Sequence, residues 1–598
     1  MLHGRLDPQQ VCFFVETSGR ELRNAKQERA QSGLPPYPSR YRVPREDRTT
    51  STATPVSRLV IINGRILGAA PTITGIAIEG ERILAIGDNR QVRDLAGPGA
   101  RLLDARGGLV SPGLNDAHQH IHNGARQLAN LELSGETSVA GILERIAQFA
   151  RANPDRDWVN GRGWFYGEFP GGFPDRILLD SVVADRPAAF GSYDMHTMWV
   201  NSAALARMGI AKDTPDPAGG QIVRNERGEA TGILKETAME LVDRVLPALS
   251  PAAELELIQQ AMQLAVRHGL TSVQDACLPA IPFETFERLR ERGLPRIRVR
   301  LSRIMVPGQS MADWEKRLAG YEDDAFPRRD DLWLRGGILK TFMDGVVESR
   351  TASFLAPYEG ARAGQPDATG HPRWEPREFE AALLIADRRG WQVQAHAIGD
   401  RAIRTALDAF DAAARANGPR ERRHRIEHIE AIDPADIPRF GRLGVVASMQ
   451  PYHADPSKNL FEVWVKQIGT DRASRGWSWA SIQRAGGRLA FGSDWPVVFL
   501  DPRLGLNTAV NRTTQQGEPA GGWIPNERLT VPQALEAYTV GSAYAEFAEG
   551  EKGSLAPGML ADITVFDQDL LSVPTESVLS AHVRATIVGG QLAYEATD

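Results

Sequence analysis

The stretch Ser111-Pro-Gly-Leu-Asn-Asp-Ala-His-Gln-His120 follows the apolar run Gly108-Leu-Val110 and reads as a β-strand reaching its C-terminal end. Residues i and i+2 of a strand point to the same side, so His118 and His120 can face one metal ion while Gln119 turns away. A His-x-His pair is weak evidence alone. Its weight comes from the ends of later strands.

Seven further runs have strand character: Thr271–Ala276, Arg296–Ile304, Gly337–Met343, Trp391–His396, His424–His428, Gly444–Met449 and Arg488–Asp494. With Leu109–His118 they make eight. Helical patterns at Ala253–His268, Glu378–Arg389 and Arg401–Arg415 lie between several of them. Eight strands with helical crossovers predict an α/β fold, a (β/α)8 TIM barrel. The stretch from about 125 to 251 is too long for one crossover and reads as an insertion carrying loops over the active face.

Both ends of the chain have a different texture. Leu59–Leu67, Ile76–Gly87 and Arg101–Val110 are short β-rich runs broken by Asn-Gly and Glu-Gly turns, and Ala561–Phe566, Val583–Val588 and Gln591–Tyr594 repeat the pattern. The expected organisation is a small β-sandwich built from 58–110 and 551–598 around a barrel over 111–550. Residues 1–57 are rich in Arg, Pro, Ser and Thr and read as a flexible extension.

Composition narrows the function. The 598-residue chain is 42% hydrophobic and 24% charged, ordinary values for a globular protein. Its 69 Lys and Arg against 75 Asp and Glu give a net charge of −6, with no basic block suited to nucleic acid. No apolar stretch approaches the ~18 residues of a membrane span. Two cysteines, Cys12 and Cys277, make no disulfide or metal framework, which fits a cytoplasmic location.

Polar residues suited to metal chemistry stand at the ends of five of the eight strands. His118 and His120 follow the first, Lys340 lies on the fourth, His396 ends the fifth, His428 the sixth and Asp494 the eighth. Barrels of this type build their sites at the C-terminal face, where these positions converge. Four imidazoles and a carboxylate suit Zn²⁺ or a similar divalent ion. Singly, each has a plainer reading: a strand-end histidine is more often structural, Lys340 can snorkel, and Asp494 before Trp495-Pro496 can start a turn. Those readings would all have to hold at once, on separate strands at the same end.

These residues sit in Pro112-Gly-Leu-Asn-Asp-Ala-His-Gln-His120, Trp199-Val-Asn-Ser-Ala-Ala-Leu205, Leu339-Lys-Thr-Phe-Met-Asp-Gly345, Ala395-His-Ala-Ile-Gly-Asp400, His424-Arg-Ile-Glu-His428, Phe491-Gly-Ser-Asp-Trp-Pro496 and Gly553-Ser-Leu-Ala-Pro-Gly-Met-Leu-Ala-Asp562. Over nearly all of Leu59–Tyr594 the chain resembles the metal-dependent amidohydrolase superfamily, in the family 3 branch that includes N-substituted formamide deformylases. The resemblance implies that His118 and His120 hold a more buried metal and His396 and His428 a more exposed one. Asp494 would bind the first and shuttle protons. Lys340 stands where the family places a lysine carboxylated by CO₂ that bridges two metals, and a single-metal site with an unmodified lysine stays open. The implied reaction is hydrolysis of a non-peptide C–N bond, in an amide such as an N-substituted formamide, by metal-activated hydroxide. One or two Zn²⁺ ions are the implied cofactors. The implied partners are a small-molecule amide and, as an open option, a second copy of the chain in a homodimer.

The substrate pocket is fainter. Trp164, Phe165 and Tyr166, in an aromatic glycine-rich loop, together with His196, Arg350, Tyr452 and His453, are the candidate substrate contacts. Two alternatives remain at this point. A single-metal deaminase of the same fold would use a glutamate soon after the fifth-strand histidine, whereas this chain has His396-Ala-Ile-Gly-Asp400. A non-catalytic scaffold should lack ligands, and every expected position is filled.

Overall fold

A computed structural model of the chain describes residues 58–597 apart from 218, 277–281, 294–296, 363 and 366–367. The expected extension over 1–57 lies outside the described residues, as do Cys12 and Cys277. One eight-stranded sheet organises the rest: β1 (Leu114–Gln119), β2 (Leu270–Asp275), β3 (Arg298–Ile304), β4 (Leu334–Phe342), β5 (Gln392–Ala397), β6 (Arg425–His428), β7 (Val446–Met449) and β8 (Arg488–Phe491). The strands run in chain order and every neighbouring pair is parallel. Each of the eight overlaps an expected run. The ends of the sheet meet beyond β8, where Asp494 N–H donates to His118 O at 2.6 Å and His120 N–H to Trp495 O at 2.7 Å. The result is the (β/α)8 barrel.

Helices Pro251–Arg267, Met311–Ala325, Pro376–Arg388 and Asp400–Asn417 are among those that cover the sheet. The first starts where the sequence supplies a stop for loose N–H groups: Ser250 accepts from Ala253 N–H, and Pro251 occupies the first turn. Leu255, Ile258, Met262, Phe379, Leu383, Ile403, Leu407 and Phe410 turn inward to one continuous apolar core.

Two small sheets adjoin the barrel. One orders Arg82–Gly87, Gly75–Glu79, Arg58–Ile62 and Arg101–Asp104; the other orders Arg65–Ile66, Leu109–Pro112, Ile563–Phe566, Val583–Val588 and Gln591–Glu595, so both ends of the chain meet in it. Ile61, Ile76 and Leu103 of the first and Val110, Ile563 and Ile587 of the second share one buried cluster. The expected single strand Leu109–His118 is in fact two. Ser111 and Pro112 pair with Thr564 and Ile563, and the chain crosses to the barrel at Gly113. Gly113 is required there: a Cβ would lie 2.2 Å from Thr271 Oγ1.

The insertion also departs from expectation. In place of loops, it folds into a six-stranded sheet spanning Leu131–Glu236, with its own core around Trp164, Phe190, Trp199 and Ile233. Such a sheet buries apolar faces of its own and holds its edge over the barrel mouth as a firm wall. Among the described residues, no helix is long and apolar enough to cross a membrane.

Barrel and terminal sheet are joined by a buried ion pair. Arg298 of β3 donates through Nε and Nη2 to the two oxygens of Asp562, at 2.6 and 3.0 Å, and Asp562 also accepts from Gly589 N–H. Removing one partner of such a pair strands a buried charge. Asp562→Ala should therefore lower the unfolding free energy by about 3–5 kcal/mol, read from urea denaturation; an unchanged midpoint would show that the pair does not stabilise this junction.

Candidate metal centre

The C-terminal ends of the barrel strands open into a cleft of about 3590 Å³ whose floor includes His120, Lys340, His396, His428 and Asp494. His118 lies just beneath, fully buried. Its Nε2 is 3.3 Å from both Lys340 Nζ and Asp494 Oδ1, and His120 Nε2 is 3.0 Å from the same oxygen. The His428 ring centroid is 4.9 Å from His118 and 4.5 Å from His396. His118, His428 and Asp494 each offer a donor atom within 4.8 Å of the others. His396 stands at the rim of this group, its Nε2 3.2 Å from Gly345 O.

The local backbone is bent to allow this. His428 shares strand parity with Ile426, which packs into the apolar core, while Arg425 and Glu427 reach across the barrel interior. A φ of 73° at His428 breaks the alternation and turns its ring into the mouth, and Asp494 adopts a φ of 63° just past β8. Both are left-handed conformations that a non-glycine residue adopts only when its surroundings demand it.

The electrostatics favour a cation here. Burial lowers the pKa of His120 and holds His396 and His428 well below the usual imidazole range, leaving neutral rings with lone pairs. Burial opposes ionisation of Asp494 as well, but His118, His120 and His428 keep its carboxyl well below the ordinary value. His120 Nδ1, His428 Nδ1 and Asp494 Oδ1 are buried without a hydrogen-bond partner. Two of these orphans, on His428 and Asp494, belong to residues that join His118 in bringing donor atoms within 4.8 Å of one another, a donor set suited to a divalent ion. The residues fit the group that the sequence implies.

A supporting layer was not anticipated. Glu427 accepts from His118 Nδ1 at 2.6 Å, which fixes the tautomer and leaves Nε2 facing the centre. Burial works against this carboxylate, but Arg425 and His118 hold it down at about 2. Asp116 accepts from the N–H groups of His118 and Ser493 and so fastens β1 to β8. Asp344 accepts from Ser353, Ile398 and Gly399 N–H, and burial pushes its carboxyl up to about 7. The sequence signal was present, since Asp116, Asp344 and Glu427 lie inside the quoted motifs, but partner assignment needs the folded barrel.

Of the candidate substrate contacts, Phe165, His196, Arg350, Tyr452 and His453 line the cleft. His196 is paired with both Glu236 oxygens at 3.1 Å, and that carboxylate, against burial, lifts its pKa to about 9. Arg350 donates to Gln467 Oε1, and Tyr452 accepts from Gln515 Nε2. Trp164 and Tyr166 are corrected: neither lines the cleft, and both are buried in the core of the insertion. Gly163, at φ 100°, breaks the strand's alternation, so Trp164 turns inward to donate to Phe190 O while Phe165 faces the cleft, stacked on Tyr193 at 4.6 Å. Tyr166 spends its hydroxyl on Thr197 and Asp194.

Known proteins share this arrangement of the chain. A model of the amidohydrolase family matches residues 101–594. The chain is 31% identical over 554 residues to Protein LONG AFTER FAR-RED 3 of Arabidopsis thaliana, covering 90% of this chain and 92% of that protein. It is 28% identical over 533 residues to the N-substituted formamide deformylase of Arthrobacter pascens, covering 87% and 95%. An uncharacterized metal-dependent hydrolase from Pyrococcus horikoshii OT3 superposes with a TM-score of 0.68 at 24% identity, covering 87% of this chain and 99% of that one.

Because Glu427 orients His118, Glu427→Gln should weaken divalent-metal affinity about 10–100-fold. Competition with a chromogenic chelator measures this, and wild-type affinity would refute the orienting role.

Proposed function

The chain belongs to the amidohydrolase family, and from that premise we propose that it is a metal-dependent hydrolase cleaving a non-peptide C–N bond, in an amide such as an N-substituted formamide. The convergence of His120, Lys340, His396, His428 and Asp494 on one cleft floor, with His118 just beneath, carries this reading. The likeness to a formamide deformylase over 87% of the chain supports the bond class.

His118, His120 and Asp494 would hold one divalent ion, Zn²⁺ by their chemistry, and His396 and His428 a second. When bound, such ions act as Lewis acids toward a carbonyl oxygen and make water a nucleophile near neutral pH. The chain's own residues supply the rest. Asp494, held ionised by the surrounding imidazoles, would accept a proton from the attacking water and return it to the leaving nitrogen. An amine departs readily only when protonated, so C–N cleavage needs a carboxylate in this position.

Lys340 is fully buried, with Nζ 3.3 Å from His118 Nε2. An ammonium group beside divalent cations is repelled. Addition of the neutral Lys340 amine to CO₂ would form an N–C bond as a C–O π pair moves to oxygen and the nitrogen loses a proton, giving an anionic carbamate suited to holding divalent cations. The wall formed by Phe165 and Tyr193 offers an apolar face to the substituent on the amide.

Metal-reconstituted protein should turn over at least one member of a panel of N-substituted formamides and N-acyl amines. Asp494→Asn should lower kcat by at least ~100-fold. A panel that is silent throughout removes the amide assignment. Elemental analysis of Lys340→Ala should show the loss of bound metal together with activity; a variant that keeps full metal content has no lysine bridge to lose.

A further inference from the structure

Arg162 stands near the end of the strand Val159–Trp164, in the insertion's wall of the same cleft, and is only 7% exposed. Its Nη2 donates to Tyr193 O and, at 3.4 Å, to Val497 O. Val497 is three residues past Asp494, so the guanidinium sits beside the proposed reacting centre. Its Nε is buried without a partner.

The carboxylates in its electrostatic surroundings are Glu132, Asp194 and Asp494, and none forms an ion pair with it among the described residues. Each has at least one oxygen turned to other groups. Glu132 accepts from Leu133 and Ser134 N–H. Asp194 Oδ1 accepts from the hydroxyls of Tyr166 and Ser192 and from His196 N–H, while its Oδ2 is buried without a hydrogen-bond partner. Asp494 faces His118 and His120. These carboxylates offset its charge only from a distance, and a buried guanidinium with no direct ion pair and an unspent Nε keeps donor capacity for a further acceptor. A guanidinium is also a planar fork whose geometry matches a carboxylate. Phe165 lies in the same wall, an apolar neighbour for the rest of such a ligand.

We propose that Arg162 recognises an anionic group on the substrate, so that the amide cleaved at this centre carries a carboxylate, as an N-acylated amino acid does. This rests on the amide-hydrolase reading above, and it narrows the substrate from amides in general to acidic ones.

Binding tests it apart from turnover. N-methanesulfonylphenylalanine and its carboxamide share one shape, differ in charge, and carry a sulfonamide in place of the scissile amide. Calorimetry on the metal-loaded protein should find the acid bound at least ~10-fold more tightly than the carboxamide. In Arg162→Gln that ratio should fall toward 1, and Arg162→Lys should retain part of it. A merely structural arginine would weaken both ligands alike and leave the ratio standing, which overturns the proposal. So does a wild-type protein that binds neither ligand or prefers the carboxamide. N-formylphenylalanine is assayed in parallel: if it is not hydrolysed while the Arg162-dependent preference persists, the hydrolase assignment fails and the anion site stands.

Discussion

Closure of the barrel between its last and first strands is the constraint on which the site depends. Two backbone hydrogen bonds, Asp494 N–H to His118 O and His120 N–H to Trp495 O, tie the end of β8 to the end of β1. They place the one carboxylate of the centre against its two leading histidines. The approach is so close that a Cβ on Gly492 would lie 2.5 Å from His118 N. Asp116 reinforces the seam by accepting from both sides of it. The left-handed backbone at Asp494 follows from this geometry, because a strand continuing straight would carry its side chain past the ring of imidazoles.

Below the seam the barrel interior is strongly polar. Arg425 reaches from β6 to Gln274 of β2, Ser448 of β7, Ala117 O of β1 and its neighbour Glu427. Glu427 in turn holds His118. Such a network is favourable only when its members are paired, because a stranded buried charge costs far more than a hydrogen bond returns. His118 is thus positioned by a network of charges that lies beneath the cleft floor.

Above the seam the insertion lines one side of the cleft. It contributes Arg162, Phe165, Tyr193 and His196 to the cleft and keeps Trp164 and Tyr166 for itself. Arg162 lies on the strand Val159–Trp164, while Phe165, Tyr193 and His196 stand in the turns that follow or join the sheet's strands.

The sequence by itself determined the eight strands, because alternation, glycine punctuation and intervening amphipathic helices are local properties. It also determined five positions on the cleft floor and His118 beneath them, because strand ends in this barrel have one place to go. Only the tertiary structure decided that Leu109–His118 divides at Gly113, that the insertion is a sheet, and that Phe165 rather than Trp164 faces the cleft. Each turns on contacts between residues far apart in the chain, or on a single positive φ that reverses which side a residue faces. The pairing of His118 with Glu427 and the isolation of Arg162 belong to the same class. A side chain's partners are set by distance in space, and the sequence records only distance along the chain.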